Sequence, residues 1–99
     1  MLRRVAMITF TEHARQRLKE RKIEEDEIEK VLKKPKWKFY DLKNAHQIAI
    51  GERRKEGHYL IIAYDREGES IKVVTVIDVS RNLEKIVKRR LENKRWIEL

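Results

Sequence analysis

The sequence predicts an α+β domain in which two N-terminal helices pack on a four-stranded antiparallel sheet, with a basic amphipathic helix at the C-terminal end. Apolar residues recur at helical spacing before Pro35 and again after residue 80, whereas the segment between them has the alternating period of strands. The turn signals between those strands are short, which is typical of hairpins and antiparallel pairing. A chain of 99 residues is the size of one domain with a single modest core.

Two N-terminal helices are predicted from their start and stop signals. Residues 8–10 form a short strand or an extended lead-in, and Thr11 is a candidate N-cap for a helix over about residues 12–21. The acidic run 24–27 places negative charge at the start of a second helix, which Pro35 ends. Consecutive carboxylates fan around a helix axis, so this run indicates a helix start rather than a metal site.

Four β-rich runs follow, separated by turn residues near Asn44, Gly57 and 65–68. They are residues 36–40, 47–51, 58–64 and 71–79.

After them, Ser80 or Asn82 can cap a last helix, which we expect within residues 81–99. Its apolar face consists of Leu83, Ile86, Val87 and Leu91. In this arrangement the helices cover one face of the sheet and leave the other face for binding.

Charge favours an anionic partner. The chain has 25 Lys and Arg against 17 Asp and Glu, a formal net charge of +8, with the excess at its two ends. Nucleic acid and an acidic protein both fit such a surface. Heavy use of Lys, Glu and Arg also resembles the composition of hyperthermophile proteins, so part of the charge can serve thermal stability.

The composition argues against several classes of protein. There is no cysteine, which excludes disulfides and thiolate zinc sites, and the three histidines lack metal-binding spacing. We therefore predict no metal and no cofactor, and a cytoplasmic location without a membrane span or export signal. Translation can start at Met1 or at Met7, and residues 1–7 are expected to form a poorly ordered extension of the single domain 1–99.

His13, Arg17 and Arg21 recur at intervals of four, so on a helix they share one stripe. The stripe borders the apolar positions Ala14 and Leu18, where side chains can line a cleft. One titratable imidazole and two cations suit a phosphate site. The alternative interpretation is an ordinary solvated helix face.

Several segments together resemble a small family of unknown function that is grouped with RelE-like toxins. They are His-Ala-x-x-Arg-Leu-x-x-Arg-x-Ile at 13–23, the acidic helix ending in Pro35, Tyr-Leu-Ile-Ile-Ala-Tyr at 59–64 and Val-Val-Thr-Val at 73–76. The wider superfamily links barnase, the colicin ribonucleases and RelE. The resemblance covers about residues 8–79. Lys22 stands where that family usually has glycine, so we expect a longer or more helical turn between the helices.

The resemblance implies an endoribonuclease toxin of a toxin-antitoxin pair, cleaving RNA without metal through attack of a ribose 2′-hydroxyl. An acidic antitoxin would neutralise it, and the RNA could be bound to a ribosome. In that mechanism His13 is the acid/base candidate and Arg17 clamps the phosphate. Thr75, a polar interruption in an apolar strand face, is a site candidate by resemblance, although its hydroxyl can equally bond the backbone.

The predicted nucleic-acid-binding residues are Arg21, Lys38, Arg89 and Arg90. Aromatic residues at 37, 39 and 40 could stack on bases, but Trp37 and Phe39 share one strand face, which favours a core role. His58 and Tyr59 point to opposite faces, so at most one of them faces a site.

A non-catalytic nucleic-acid-binding module and a degraded toxin fold that binds a partner both remain alternatives to the toxin. The oligomeric state, including a homodimer, stays open.

Overall fold

A computed structural model describes residues 7–99, which form three helices and a six-stranded sheet. The helices are α1 (Glu12–Arg21), α2 (Glu25–Lys33) and α3 (Leu83–Glu92). The strands are β1 (Met7–Phe10), β2 (Trp37–Asp41), β3 (His46–Glu52), β4 (Tyr59–Glu67), β5 (Ser70–Val79) and β6 (Trp96–Glu98). The expected N-terminal extension lies outside the described residues, apart from Met7, which begins β1.

The sheet has the order β1-β5-β4-β3-β2-β6, and β1 runs parallel to β5 while the other pairs are antiparallel. The predicted four-stranded antiparallel sheet is therefore wrong. The lead-in becomes a strand because Ile8 and Phe10 pack into the core beside Ile71 and Val73, their partners on β5.

The C-terminal tail also differs from the prediction, because the last helix ends at Glu92 and a sixth strand follows. Trp96 explains the change: it is buried, and its ring stacks on Phe39 with centroids 5.3 Å apart. That contact places β6 alongside β2, where the backbone groups of the two strands pair.

Helices cover both faces of the sheet. On the first face, α1 and α2 bury Ala14, Leu18 and Ile28 against the sheet. On the second face, Leu83 of α3 packs in a separate cluster with Phe39, Ile48, Ile50, Ile61, Ala63, Val79 and Trp96. The expectation that one face stays free for binding is thus incorrect, because the apolar stripe of α3 must also be buried.

Two caps set the ends of α1. Thr11 accepts a hydrogen bond from the backbone N–H of Ala14 and donates one to the Val74 carbonyl, 2.8 Å away, which fixes the start of α1 on β5. Lys22 ends the helix in the left-handed conformation, with φ of 52°. The expected lengthening of this turn does not occur, because Lys22 adopts the conformation that glycine usually supplies.

Candidate nucleic-acid interface

A basic cleft runs along the solvent-exposed side of α3. Helix α3 directs Leu83, Ile86 and Val87 toward the sheet. The side chains at the other positions of the helix therefore face solvent. The cleft has a volume of about 500 Å³ and is lined by Arg81, Asn82, Lys85, Ile86, Arg89 and Arg90.

The cations of this cleft are not neutralised by carboxylates. Among residues 7–99, Arg81, Lys85, Arg89 and Arg90 form no salt bridge. The Arg90 guanidinium instead lies 5.8 Å from the centre of the Trp96 ring, a cation–π contact that orients it. The cleft therefore carries a concentrated positive charge that suits an anionic ligand.

The structure brings together two of the four nucleic-acid-binding residues predicted from the sequence. Arg89 and Arg90 both line the cleft. Lys38 is opposite Ala49 in the sheet, and cross-strand partners point to the same face, so Lys38 lies on the face of α1 and α2. Arg21 ends α1 on that same side of the molecule. These two cations belong to a different surface.

The predicted catalytic residues do not meet on one face. An irregularity in the pairing of β4 with β5 skips Val74, so that Thr75 is opposite Ala63 whereas Val73 is opposite Tyr64. Such a bulge reverses the alternation of side chains. Thr75 consequently lies on the face covered by α3.

The other two members of that predicted site lie on α1, which packs on the opposite face. His13 is exposed, and Arg17 is half-buried with its guanidinium 3.8 Å from the Glu20 carboxylate.

A second cluster of polar side chains lies at the end of the sheet where β5 stops and β4 begins. Arg53 is its centre: Nε is 3.2 Å from Oε1 of Glu27, and Nη1 is 3.1 Å from Oδ2 of Asp78. Nη2 of Arg53 donates to the Lys22 carbonyl. The other carboxylate oxygen of Asp78 lies 2.9 Å from Nδ1 of His58. We call Glu27, Arg53, Asp78 and His58 the buried charge network.

This network is largely shielded from solvent. The side chains of Glu27, Arg53 and Asp78 are 5, 6 and 14% exposed, and that of His58 is 20% exposed. Burial alone would raise the pKa of Glu27, but the Arg53 guanidinium and the N–H groups of Glu24 and Arg54 hold that pKa below its usual value. The same contact with Glu27 raises the pKa of Arg53. Both groups are therefore charged at neutral pH.

Sequence reasoning missed the network because its members are far apart in the chain. Arg53 is 26 residues from Glu27 and 25 from Asp78. One signal was present: Asp78 is a charged residue between Ile77 and Val79 near the end of a β-rich run, and a charge that is buried in such a position requires a partner.

The described residues contain no cluster of potential metal ligands. Within residues 7–99, no group of three or more His, Cys, Asp or Glu side chains could hold a metal ion. None of the helices in that part of the chain is long and apolar enough to cross a membrane.

A protein family described as a domain of unknown function, DUF4258, matches residues 10–88. The chain belongs to this family. The DUF4258 match begins at the last residue of β1 and ends within α3, so it includes His13, the buried charge network and Arg81. Arg89 and Arg90 lie just beyond it. Searches of curated proteins and of solved structures give no significant match.

Proposed function

We propose that the protein binds RNA and that the basic cleft along α3 is the contact surface. The observation that supports this proposal is the convergence of Arg81, Lys85, Arg89 and Arg90 on one cleft without carboxylate partners among the described residues. A polyanion that neutralises such cations releases its condensed counterions, which favours binding. Guanidinium groups also bond phosphate oxygens in pairs, a geometry that lysine alone does not offer.

The proposal is tested by measuring the affinity for a short single-stranded RNA over a range of salt concentrations. The variant Lys85→Gln/Arg89→Gln removes two cations from the cleft, and Arg21→Gln/Lys38→Gln removes the same charge from the opposite surface. We expect the cleft variant to bind more weakly and to lower the slope of log affinity against log salt by about 1.4, because each phosphate contact contributes about 0.7.

The variant of the opposite surface should keep the wild-type slope. Equal losses in the two variants would mean that binding follows net charge and not the cleft. Wild-type protein that does not bind RNA at low salt would contradict the proposal altogether.

We propose further that this RNA binder is a RelE-like ribonuclease toxin that an acidic antitoxin neutralises. The support is the resemblance of its motifs at residues 13–23, 59–64 and 73–76 to those of RelE-like toxins. Expression of the chain in a bacterial host should stop growth, and co-expression of a small acidic protein encoded beside it should restore growth. Growth unaffected by full expression of the folded protein would contradict the toxin proposal.

A further inference from the structure

We propose that His46 is the general base for RNA cleavage and that the RNA reaches it from the basic cleft. The proposal rests on the ribonuclease function proposed above, and it identifies the substrate as a phosphodiester with a free 2′-hydroxyl. His46 is the first residue of β3 and lies on the same face of the sheet as α3.

The register of three neighbouring strands places His46 on that face. Trp96, in the apolar cluster under α3, is opposite Asp41, and Asp41 is opposite His46. Cross-strand partners point to the same face. Neighbouring strands are about 4.8 Å apart, so the backbones of Trp96 and His46 are about 10 Å apart. Because the Arg90 guanidinium of the basic cleft lies over the Trp96 ring, one nucleotide chain can contact both Arg90 and His46.

One hydrogen bond orients the His46 ring and leaves its second nitrogen free. Nδ1 is 2.7 Å from Oδ1 of Asp65, and an ionised aspartate only accepts hydrogen bonds, so Nδ1 donates. The neutral ring then carries its lone pair on Nε2, which has no hydrogen-bond partner within residues 7–99. The side chains of His46 and Asp65 are 24 and 38% exposed, so a substrate can reach them. An oriented and accessible Nε2 is what a general base requires.

Cations flank the imidazole on both sides. Arg90 is on the side of β6, and on the other side Lys72 is exposed and opposite Asp65 on β5. The carboxylate of Asp41 lies between the imidazole and Arg90, but it is buried and accepts two backbone N–H groups of the turn that follows it. A phosphate beside the imidazole is therefore shielded from that negative charge and lies between two positive ones.

The proposed step is the attack of a 2′-hydroxyl on the neighbouring phosphate. Nε2 of His46 accepts the hydroxyl proton while the 2′-oxygen forms a bond to phosphorus. The bond from phosphorus to the 5′-oxygen breaks, and that oxygen takes a proton from a water molecule. The hydroxide so formed removes the proton from His46, which restores the neutral ring. Arg90 and Lys72 stabilise the charge that builds on the phosphate oxygens.

His58 provides a matched control. Its Nδ1 is 2.9 Å from Oδ1 of Asp78, so it makes the same kind of contact. Asp78, however, is opposite Leu60, which belongs to the cluster under α1 and α2. This second pair therefore lies on the face away from the basic cleft. His13 on α1 is the rival candidate, because the sequence predicts it as the acid/base group.

The experiment compares His46→Asn, His58→Asn and His13→Asn with wild type. At positions 46 and 58 the asparagine amide can still donate to the aspartate, so the contact is kept while the titratable nitrogen is lost. Single-turnover cleavage is measured on free RNA and on ribosome-bound RNA, with a chelator present, beside RNA affinity and thermal stability.

We expect His46→Asn to slow cleavage by about 100-fold or more at unchanged affinity and stability. His58→Asn should cleave at the wild-type rate. The wild-type products should carry a 2′,3′-cyclic phosphate and a 5′-hydroxyl. Added imidazole should restore cleavage to His46→Ala, which a purely structural role of the ring would not allow.

The remaining outcomes separate the two proposals. Cleavage that persists in His46→Asn, or that is lost in His13→Asn or His58→Asn instead, overturns the assignment to His46. Wild-type protein that binds RNA but cleaves neither substrate also overturns it, while RNA binding stands. If wild type does not bind RNA, the proposed function fails as well.

Discussion

Arg53 connects four parts of the fold through one guanidinium group. Its nitrogens bond to Glu27 on α2, to Asp78 on β5 and to the carbonyl of Lys22 between the helices, while Arg53 itself follows β3. A buried charge that loses its partner is costly, so each contact of this residue depends on the others.

We predict that Glu27→Gln lowers the free energy of unfolding at neutral pH by about 3 to 5 kcal/mol, because it leaves the buried Arg53 short of a carboxylate. The pKa of Glu27 is lower in the folded chain than in the unfolded one, so its contribution is fully present above the unfolded pKa of about 4.3. That contribution is lost as the pH falls through the lower pKa that Glu27 has in the folded chain. Urea unfolding from pH 3 to pH 7 should therefore show a flatter acid dependence in the variant.

Glu29→Gln is the control for this prediction. Glu29 is on the same helix and its carboxylate is 3.0 Å from Nζ of Lys33, but both side chains are exposed. Exposed pairs contribute little, about 0 to 1 kcal/mol. An equal effect in the two variants would show that the network is not the source of the acid dependence.

Gly51 permits the close approach of α2 to the sheet. A Cβ at this position would lie 2.9 Å from Cγ2 of Val31, closer than carbon atoms pack. We predict that Gly51→Ala lowers the free energy of unfolding by about 1 to 3 kcal/mol through this overlap. In a double-mutant cycle, Val31→Ala should cost less in the Gly51→Ala background than alone. Additive effects would mean that α2 shifts freely.

At the scale of the element, the end of α1 depends on one backbone conformation. The N–H of Lys22 bonds back to the carbonyl of Lys19, and the N–H of Ile23 bonds to that of Leu18. This reversal needs a positive φ, which glycine adopts without cost and lysine does not. The chain turns sharply enough for α2 to begin at Glu25.

We predict that Lys22→Gly raises the free energy of unfolding by about 0.5 to 1 kcal/mol, because the left-handed strain is removed. Lys22→Ala is the matched control, since it removes the same side chain but keeps a Cβ. Thermal unfolding of both variants measures the difference. A glycine variant no more stable than the alanine variant would show that the cap is unstrained.

At the scale of the whole molecule, the sheet separates two apolar clusters. Ile62 belongs to the cluster under α1 and α2, and Ile50 belongs to the cluster under α3; both are fully buried. The sheet is therefore a middle layer, and the molecule depends on packing on both of its faces.

We predict that Ile62→Ala and Ile50→Ala each cost about 2 to 5 kcal/mol. Both variants should unfold in a single transition, because the strands that carry the two residues are hydrogen-bonded neighbours. Guanidinium unfolding followed by circular dichroism measures both costs. A small cost for Ile50→Ala alone would contradict the packing of α3 on the second face.

The sequence by itself determined the elements whose signals are local. The cap at Thr11 and the stop at Pro35 predicted helices over regions where α1 and α2 lie, and alternation predicted four runs that overlap β2 to β5. The sequence also predicted that the last helix is basic and that it carries Arg89 and Arg90, because charge and helical spacing depend only on neighbours in the chain.

Only the tertiary structure decided the arrangement of these elements. The parallel pairing of β1, the strand at Trp96 and the packing of α3 on the second face all follow from contacts between residues distant in sequence. The bulge beside Thr75 turned that side chain away from the face of His13, and no local pattern marks where a strand skips a residue. The contacts of Arg53 with Glu27 and Asp78 exist only because folding brings their backbones together. Local periodicity determines which face of an element is apolar, but long-range packing determines what that face meets.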